Sequence, residues 1–519
     1  MRKFLITILA LSALFAATAQ PKMVVNIVVG GLSASDIDRY SSNLTAEGLL
    51  RLKRGGVNFT ECYTDFVPTA EQVSLATIAT GSLPSMHGVS STRWYDRTSG
   101  NSIVRLCKTA KGEYTTEHFL APTLSEALQA NDSKSQTITI AHNATSAMAL
   151  AGKGGECYWV DSLGNWSSAA CYSKTLPDWV NSHNEIGFNR IQVSGSWFGK
   201  LTKSKYINSR ATDIKIYDIY AKPRNNASNR NVADDWLDEF MTTPAGISAL
   251  FDFATKALDQ MVNNKELSGT KMLNICLDVP RNIAQKYGTD SIEYEDMLYR
   301  LDSAIENFMK VIDVCYSNQR DYLIVLTSDH GMGKSNLNGE SSSFNTRQAE
   351  VILNAFLSAQ YGQGSWVLSC ENGAIYLNRD LIYAKKLSIA QVQNEAATFA
   401  LQFRGMANAA TATALQGGAM SNLNLRLMQN GFYPRRSGDI LYCLQPNYNE
   451  LNSGKIAQSG SPYNYDRHIP LIFYGAGCTN GNIERKVSST AIAVTTASLL
   501  GISKPDCADG EVIYELINR

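Results

Sequence analysis

The chain reads as an α/β protein: a mostly parallel central sheet with helices on both faces, plus cap insertions. Short apolar runs are followed by stretches with helical spacing, which is the rhythm of a parallel sheet. The runs are nearly continuous in hydrophobicity rather than alternating, as strands buried on both faces are. Several end in Gly, Asp or His at the point where open α/β sheets carry their sites, the carboxyl ends of strands.

Met23 to Val29 is an apolar run broken only by Asn26 and closed by Gly30-Gly31, so it reads as a central strand. Ser35 to Lys53 reads as a helix closed by Gly55-Gly56. Thr69 to Thr80 reads as a loop running into a helix, and Gln136 to Ala141 as a second strand. Lys271 to Leu277 is a third buried strand, ending at Asp278. Met297, Leu298, Leu301, Ile305, Phe308, Met309 and Ile312 recur at helical spacing and lead to a fourth strand, Tyr322 to Thr327. Ile469 to Tyr474 is a fifth strand, and Thr490 to Leu500 a closing helix.

Two stretches break this rhythm. Residues 90–245 are rich in Trp, Tyr, Ser and Asn; residues 335–460 mix short strands, Gly-rich turns and a helix near 388–402. Both are read as insertions capping the carboxyl edge of one domain that spans 20–519. No internal repeat or low-complexity tract interrupts the chain.

The 519 residues are 44% hydrophobic and 18% charged, which is globular and long enough for one large core with insertions. Lys+Arg and Asp+Glu are both 47, so there is no basic surplus of the kind nucleic-acid binding requires.

Residues 1–19 have the pattern of an export signal: Arg2 and Lys3, an apolar run from Phe4 to Phe15, then Ala17-Thr18-Ala19 as a small-x-small cleavage site. No cysteine stands at the cleavage point for a lipid anchor. No later apolar stretch reaches the roughly 18 residues that span a bilayer. The expected location is outside the cytoplasm, in the periplasm or at the outer membrane or cell surface. Export permits disulfides among the ten cysteines. None forms a CxxC pair, which excludes zinc-ribbon and thioredoxin-like readings. Cys276 and Cys315 sit in apolar patterns that suit buried thiols.

The strongest single feature is Asp329-His330-Gly331, emptying out of an apolar strand. An acid and an imidazole at a strand end are oxygen and nitrogen ligands for a divalent cation. They also have a structural reading, with Asp hydrogen-bonded around the strand end and His packed. Asp278 and His468 carry the same two readings. His87, in a Met-His-Gly turn, reads as structural. His118, His142 and His183 read as ordinary surface or insertion positions. Trp94, Trp159, Trp166, Trp179 and Trp197 read as cap core before they read as a carbohydrate or partner surface. Asn-x-Ser/Thr sites at Asn43, Asn143, Asn165 and Asn226 are short enough to arise by chance.

Taken together, Phe66-Val67-Pro68-Thr69, Thr80-Gly81-Ser82-Leu83-Pro84, Met86-His87-Gly88, Trp94-Tyr95-Asp96, Thr327 to Gly331 and Ser461 to Gly475 resemble the alkaline phosphatase superfamily. Within it, the exported bacterial phosphatases near the type I phosphodiesterase/nucleotide pyrophosphatase branch are similar over nearly the whole mature chain. The resemblance implies two-metal phosphoryl transfer, with a Thr or Ser that attacks phosphorus and is itself a metal ligand.

That implied set matches only in part. Asp278, Asp329, His330 and His468 stand where ligands are expected. Gly30 stands where the first strand should end in Asp, Glu71 where the nucleophile should be, and Asn282 where a His should follow Asp278. The phosphate-holding positions are neutral or altered: Ser91-Thr92-Arg93 lacks an Asn before Trp94, and Ala141 to Thr145 lacks a Lys-x-Arg. The leading expectation is therefore a non-catalytic binding or complex subunit of the cell envelope, keeping the fold with a damaged bimetal site and serving an envelope protein partner. The alternative is a metal-dependent phosphate or sulfate ester hydrolase with a rewired site. It would hold one divalent cation (Zn, Mn or Mg) on Glu71, Asp278, Asp329, His330 and His468. A separate reading is that the slots are misaligned, which includes a nucleophile at Thr69 or Ser74.

Overall fold

The structure is a computed structural model and describes residues 20–187, 196–208, 217–218, 237, 240–333, 343–451 and 455–517. The expected export signal at 1–19, the sequon at Asn226 and parts of both expected insertions lie outside the described residues.

A ten-stranded sheet forms the spine. Its members are β1 (Met23–Val29), β2 (Val57–Tyr63), β3 (Gln136–Ala141), β4 (Glu156–Val160), β5 (Trp166–Ser167), β6 (Lys271–Leu277), β7 (Tyr322–Ser328), β8 (His468–Gly475), β9 (Gly481–Ile483) and β10 (Val487–Ser488). The spatial order is β9-β2-β8-β7-β1-β6-β3-β4-β5, with β10 also on β2. The inner block β7-β1-β6-β3-β4 is parallel, whereas β8 runs antiparallel to both β7 and β2. β1, β6 and β7 are buried along almost their whole length, which is why their sequences do not alternate. The Asn26 that interrupts β1 is tied into the sheet through its amide nitrogen. Its amide donates to Asn274 Oδ1 at 2.7 Å, and Asn274 donates to Thr139 Oγ1 at 3.0 Å, a polar rung across three strands.

Helices cover both faces: α1 (Leu49–Gly55), α2 (Glu71–Thr80), α3 (Ala144–Ala151), α4 (Ala245–Asn263), α5 (Val279–Tyr287), α6 (Ile292–Cys315) and α7 (Ala491–Leu499). Two apolar clusters result. One lies under α4 and α6 and the other under α2, α3 and α7.

The single helix expected over 35–53 is instead broken: a turn at Asp36–Arg39, a 3-10 turn at Ser41–Asn43, then α1. The Asp302 carboxylate on α6 causes the break, accepting from Thr45 N at 2.7 Å and Leu49 N at 2.8 Å. A tertiary acceptor thus takes N–H groups that an unbroken helix would have kept for itself.

Within 335–460 a second sheet forms from Val367–Glu371, Ala374–Leu377, Met406–Thr411 and Ile440–Leu444, with its own apolar cluster. Among the described residues, no helix is long and apolar enough to cross a membrane.

Candidate functional site

β1 pairs with β6 and β7 in level register: Val29 stands opposite Leu277 on one side and Ser328 on the other. The next residue of each strand, Gly30, Asp278 and Asp329, therefore emerges at one height. Asp278 is also the N-cap of α5, and Pro280 in the first turn presets the helix. Glu71 is the first residue of α2, which starts above the same edge. Sheet register and two helix starts bring three carboxylates together.

What joins them is Arg281, which the sequence reading did not single out. It lies one turn into α5, with its side chain about 7% exposed. Nη2 donates to Glu71 Oε1 at 2.8 Å and to Asp278 Oδ1 at 3.1 Å, and Nη1 donates to Asp329 Oδ2 at 3.2 Å. Its neighbours push the guanidinium further toward the charged form, overcoming the opposite effect of burial. The carboxyl of Glu71 is pushed up, first by burial and then, against the pull of Arg281, by Asp278 beside it. The Ser146 hydroxyl donates to the same carboxylate.

Each acid is further fixed. Asp278 Oδ2 accepts from Asn143 N at 3.0 Å, and Asp329 Oδ1 from Gly31 N at 2.9 Å and His330 N at 2.7 Å. His330 places Nδ1 2.7 Å from the Gly331 carbonyl. A carbonyl only accepts, so Nδ1 is the donor of this bond, which in the neutral ring leaves the lone pair on Nε2. Nε2 faces Asp329 Oδ2 at 3.6 Å and the Ser459 hydroxyl at 3.3 Å. Gly331 is glycine because a Cβ there would lie 2.3 Å from the Tyr465 carbonyl.

Gly30 leaves room for Arg281. A Cβ on Gly30 would lie 3.2 Å from Arg281 Nη1, 3.3 Å from Arg281 Cβ and 2.8 Å from the Leu277 carbonyl. Asn282, next along α5, lines the cleft above. That cleft has a volume of about 1320 Å³, and Glu71, Asp278, Arg281, His330, Lys455 and Ser459 are among its walls.

The structure does not bring His468 to this cluster. At the start of β8, its Nε2 lies 2.7 Å from the Thr60 carbonyl and its ring stacks on Tyr63 at 4.6 Å. The side chain from that part of the chain that does reach His330 is Ser459. Thr69 is fully buried, and its hydroxyl is held by Gly460 N at 2.9 Å and the Ser461 carbonyl at 3.3 Å. Ser74 is buried within α2, below the cleft. His87 is structural, as its turn suggested: Nε2 lies 3.0 Å from Thr77 Oγ1 and Nδ1 accepts from Val89 N at 3.1 Å.

His142 and His183, read as ordinary surface or insertion positions, are buried. His142 packs between Trp166 and Phe240, and burial pushes its imidazole down to about 3. His183 packs on Phe253 with ring centroids 5.2 Å apart. Trp94, Trp159, Trp166 and Trp197 are buried, as a packed core requires.

Arg281 did leave a trace in the sequence. It stands three residues after a strand-end Asp at a helix start, the spacing that folds a cation back onto that acid. Ser459 left none, because it sits in a loop without periodic pattern.

The model of the family described as type I phosphodiesterase/nucleotide pyrophosphatase matches residues 24–453. The chain belongs to that family. It is 25% identical to alkaline phosphatase PafA of Elizabethkingia meningoseptica over 100% of this chain and 99% of the relative. It is 26% identical to a protein of Myroides odoratus named calcium-transporting ATPase, over 96% and 95% of the two chains. The crystal structure of wild-type PafA superposes with a TM-score of 0.87 at 24% identity, covering 97% of this chain and 100% of that one. Murine ectonucleotide pyrophosphatase/phosphodiesterase 5 gives a TM-score of 0.56 at 12% identity, over 95% and 99%. The likeness to PafA establishes the fold.

The cation pair implied by the family resemblance does not fit these residues. A guanidinium stands where Glu71, Asp278 and Asp329 converge, the first strand ends without a side chain, and Asn282 and His468 do not complete a second set. Among the described residues, no group of three or more His, Cys, Asp and Glu is arranged to hold a metal ion.

Proposed function

We propose that the protein is a non-catalytic member of its family, an exported binding or complex subunit of the cell envelope that keeps the phosphatase scaffold. The observation that carries this reading is Arg281 shared by Glu71, Asp278 and Asp329 at 2.8, 3.1 and 3.2 Å. At the nucleophile position expected from the resemblance, Glu71 offers a carboxylate already engaged by a guanidinium and a serine. Such a group is a poor replacement for a metal-bound hydroxyl. The cleft above it remains large, which suits the binding of a ligand or a partner segment without turnover. Export rests on the signal-like residues 1–19, and the envelope partner on the retention of a cleft without its chemistry.

The rival reading is a hydrolase of phosphate or sulfate esters. The relatives speak for it, since PafA of E. meningoseptica and PhoV of Synechococcus elongatus are both named alkaline phosphatases. Turnover of nitrophenyl phosphate, bis-nitrophenyl phosphate and nitrophenyl sulfate by the purified mature protein separates the two. The non-catalytic reading expects no turnover of any of them. Turnover that D329N abolishes would establish the hydrolase instead. Cell fractionation with amino-terminal sequencing tests export, and a mature chain that retains Met1 in the cytoplasm would overturn it.

A further inference from the structure

We propose that Arg281 is a built-in cation that plugs a divalent-metal site, and that Gly30 is the vacancy that admits it. The cluster has the composition of a metal site rather than of an ordinary ion pair. Three carboxylates from separate elements converge on one point, and beside them His330 turns Nε2 toward Asp329 at 3.6 Å. These are oxygen and nitrogen donors of the kind Zn, Mn or Mg takes, but with Arg281 among them they are not arranged to hold an ion. The occupant is a single positive charge that shares its two terminal nitrogens among all three acids.

An ordinary structural ion pair has no reason to gather more acids than its cation can neutralise. The surplus follows if sheet register and helix starts fix the carboxylates in place and the arginine fills the centre they leave. The vacancy argument is independent of charge. A Cβ on Gly30 would stand 3.2 Å from Nη1 and 3.3 Å from Cβ of Arg281. A side chain at position 30 would therefore crowd the arginine at 281, as well as the Leu277 carbonyl 2.8 Å away. The plug also holds α2, β6 and β7 together with no metal needed.

The claim concerns cation binding, so it is tested apart from turnover. Wild-type protein and the variants R281Q and E71Q/R281Q are titrated with Zn²⁺, Mn²⁺ and Mg²⁺ by calorimetry, and melted in cation or in EDTA. E71Q/R281Q removes one charge of each sign, so it keeps the wild-type charge balance and guards against simple unfolding of R281Q. Wild type is expected to bind no cation in the cleft and to melt at the same temperature in EDTA and in cation. Both variants are expected to bind one Mn²⁺ or Zn²⁺ per chain and to melt several degrees higher with it, as binding to the native state alone requires. Adding D329N is expected to abolish that binding. Recovery of R281Q only when it is refolded with the cation also supports the plug. Stoichiometric binding by wild type that D329N removes would overturn the proposal. So would a folded E71Q/R281Q that binds nothing, or one that fails to fold with or without cation.

Discussion

Two buried clusters in this molecule combine arginine and aspartate in opposite proportions. In the second sheet, Asp439 has two guanidiniums: Arg379, with Nε at 2.7 Å and Nη2 at 2.6 Å, and Arg97 at 3.7 Å. Gln393 Nε2 at 3.0 Å and Leu377 N at 3.0 Å also donate to it. At the ends of β6 and β7, one guanidinium serves three acids. A fully supplied acid is what a structural ion pair needs, because each buried lone pair must find a donor. The trio has backbone and serine donors as well but is short of positive charge, and such a trio is retained only where backbone geometry forces the acids together. Asp36 shows a third solution. It takes only Tyr294 OH at 2.8 Å and Ser33 N at 3.0 Å at hydrogen-bond distance, and burial pushes its carboxyl up to about 6.

The contrast can be broken most directly at Arg281. R281Q leaves three buried acids without their shared cation, and equilibrium denaturation at neutral pH should show a loss of about 3–5 kcal/mol. The loss should shrink as pH falls and the carboxyls take up protons. A cost below about 1 kcal/mol would mean that the cluster is hydrated rather than buried.

Asp36 should give the next largest effect. Its native pKa of about 6 lies above the ordinary 3.8, so the folded chain holds this proton more tightly than the unfolded one. Its contribution to stability is complete below the ordinary value and is lost as pH rises through about 6. D36N keeps an acceptor for Tyr294 and Ser33 without the charge. It should therefore be more stable than wild type at pH 8, by up to about 3 kcal/mol, and should lose that advantage near pH 4. Denaturation midpoints across that range check the sign.

R379Q should have the smallest effect, about 1–3 kcal/mol, because Arg97, Gln393 and Leu377 N remain on Asp439. If R379Q cost more than R281Q, the argument from proportions would fail.

The same distinction separates what could be read from residues from what could not. Apolar runs set β1, β3, β6, β7 and β8, since burial on both faces writes itself into composition. The helix expected over 35–53 failed because Asp302, some 250 residues away in sequence, takes the N–H groups of Thr45 and Leu49. Asp278 and Asp329 could be read as strand-end acids and Glu71 through the family resemblance, and the structure brings the three together. His468 was not: whether a histidine at the start of a strand faces a cleft or stacks on Tyr63 depends on how β8 lies against β2.

The sequence by itself determined the family and the parallel core, and it raised the expectation that position 30 lacks a carboxylate ligand and position 71 a hydroxyl. It could not show what occupies the space beside Gly30. Only the tertiary structure decided that, because Gly30, Glu71, Arg281 and Asp329 become neighbours through sheet register and the placement of two helix starts. That Gly30 and Arg281, 251 positions apart in sequence, lie against each other is visible only in three dimensions.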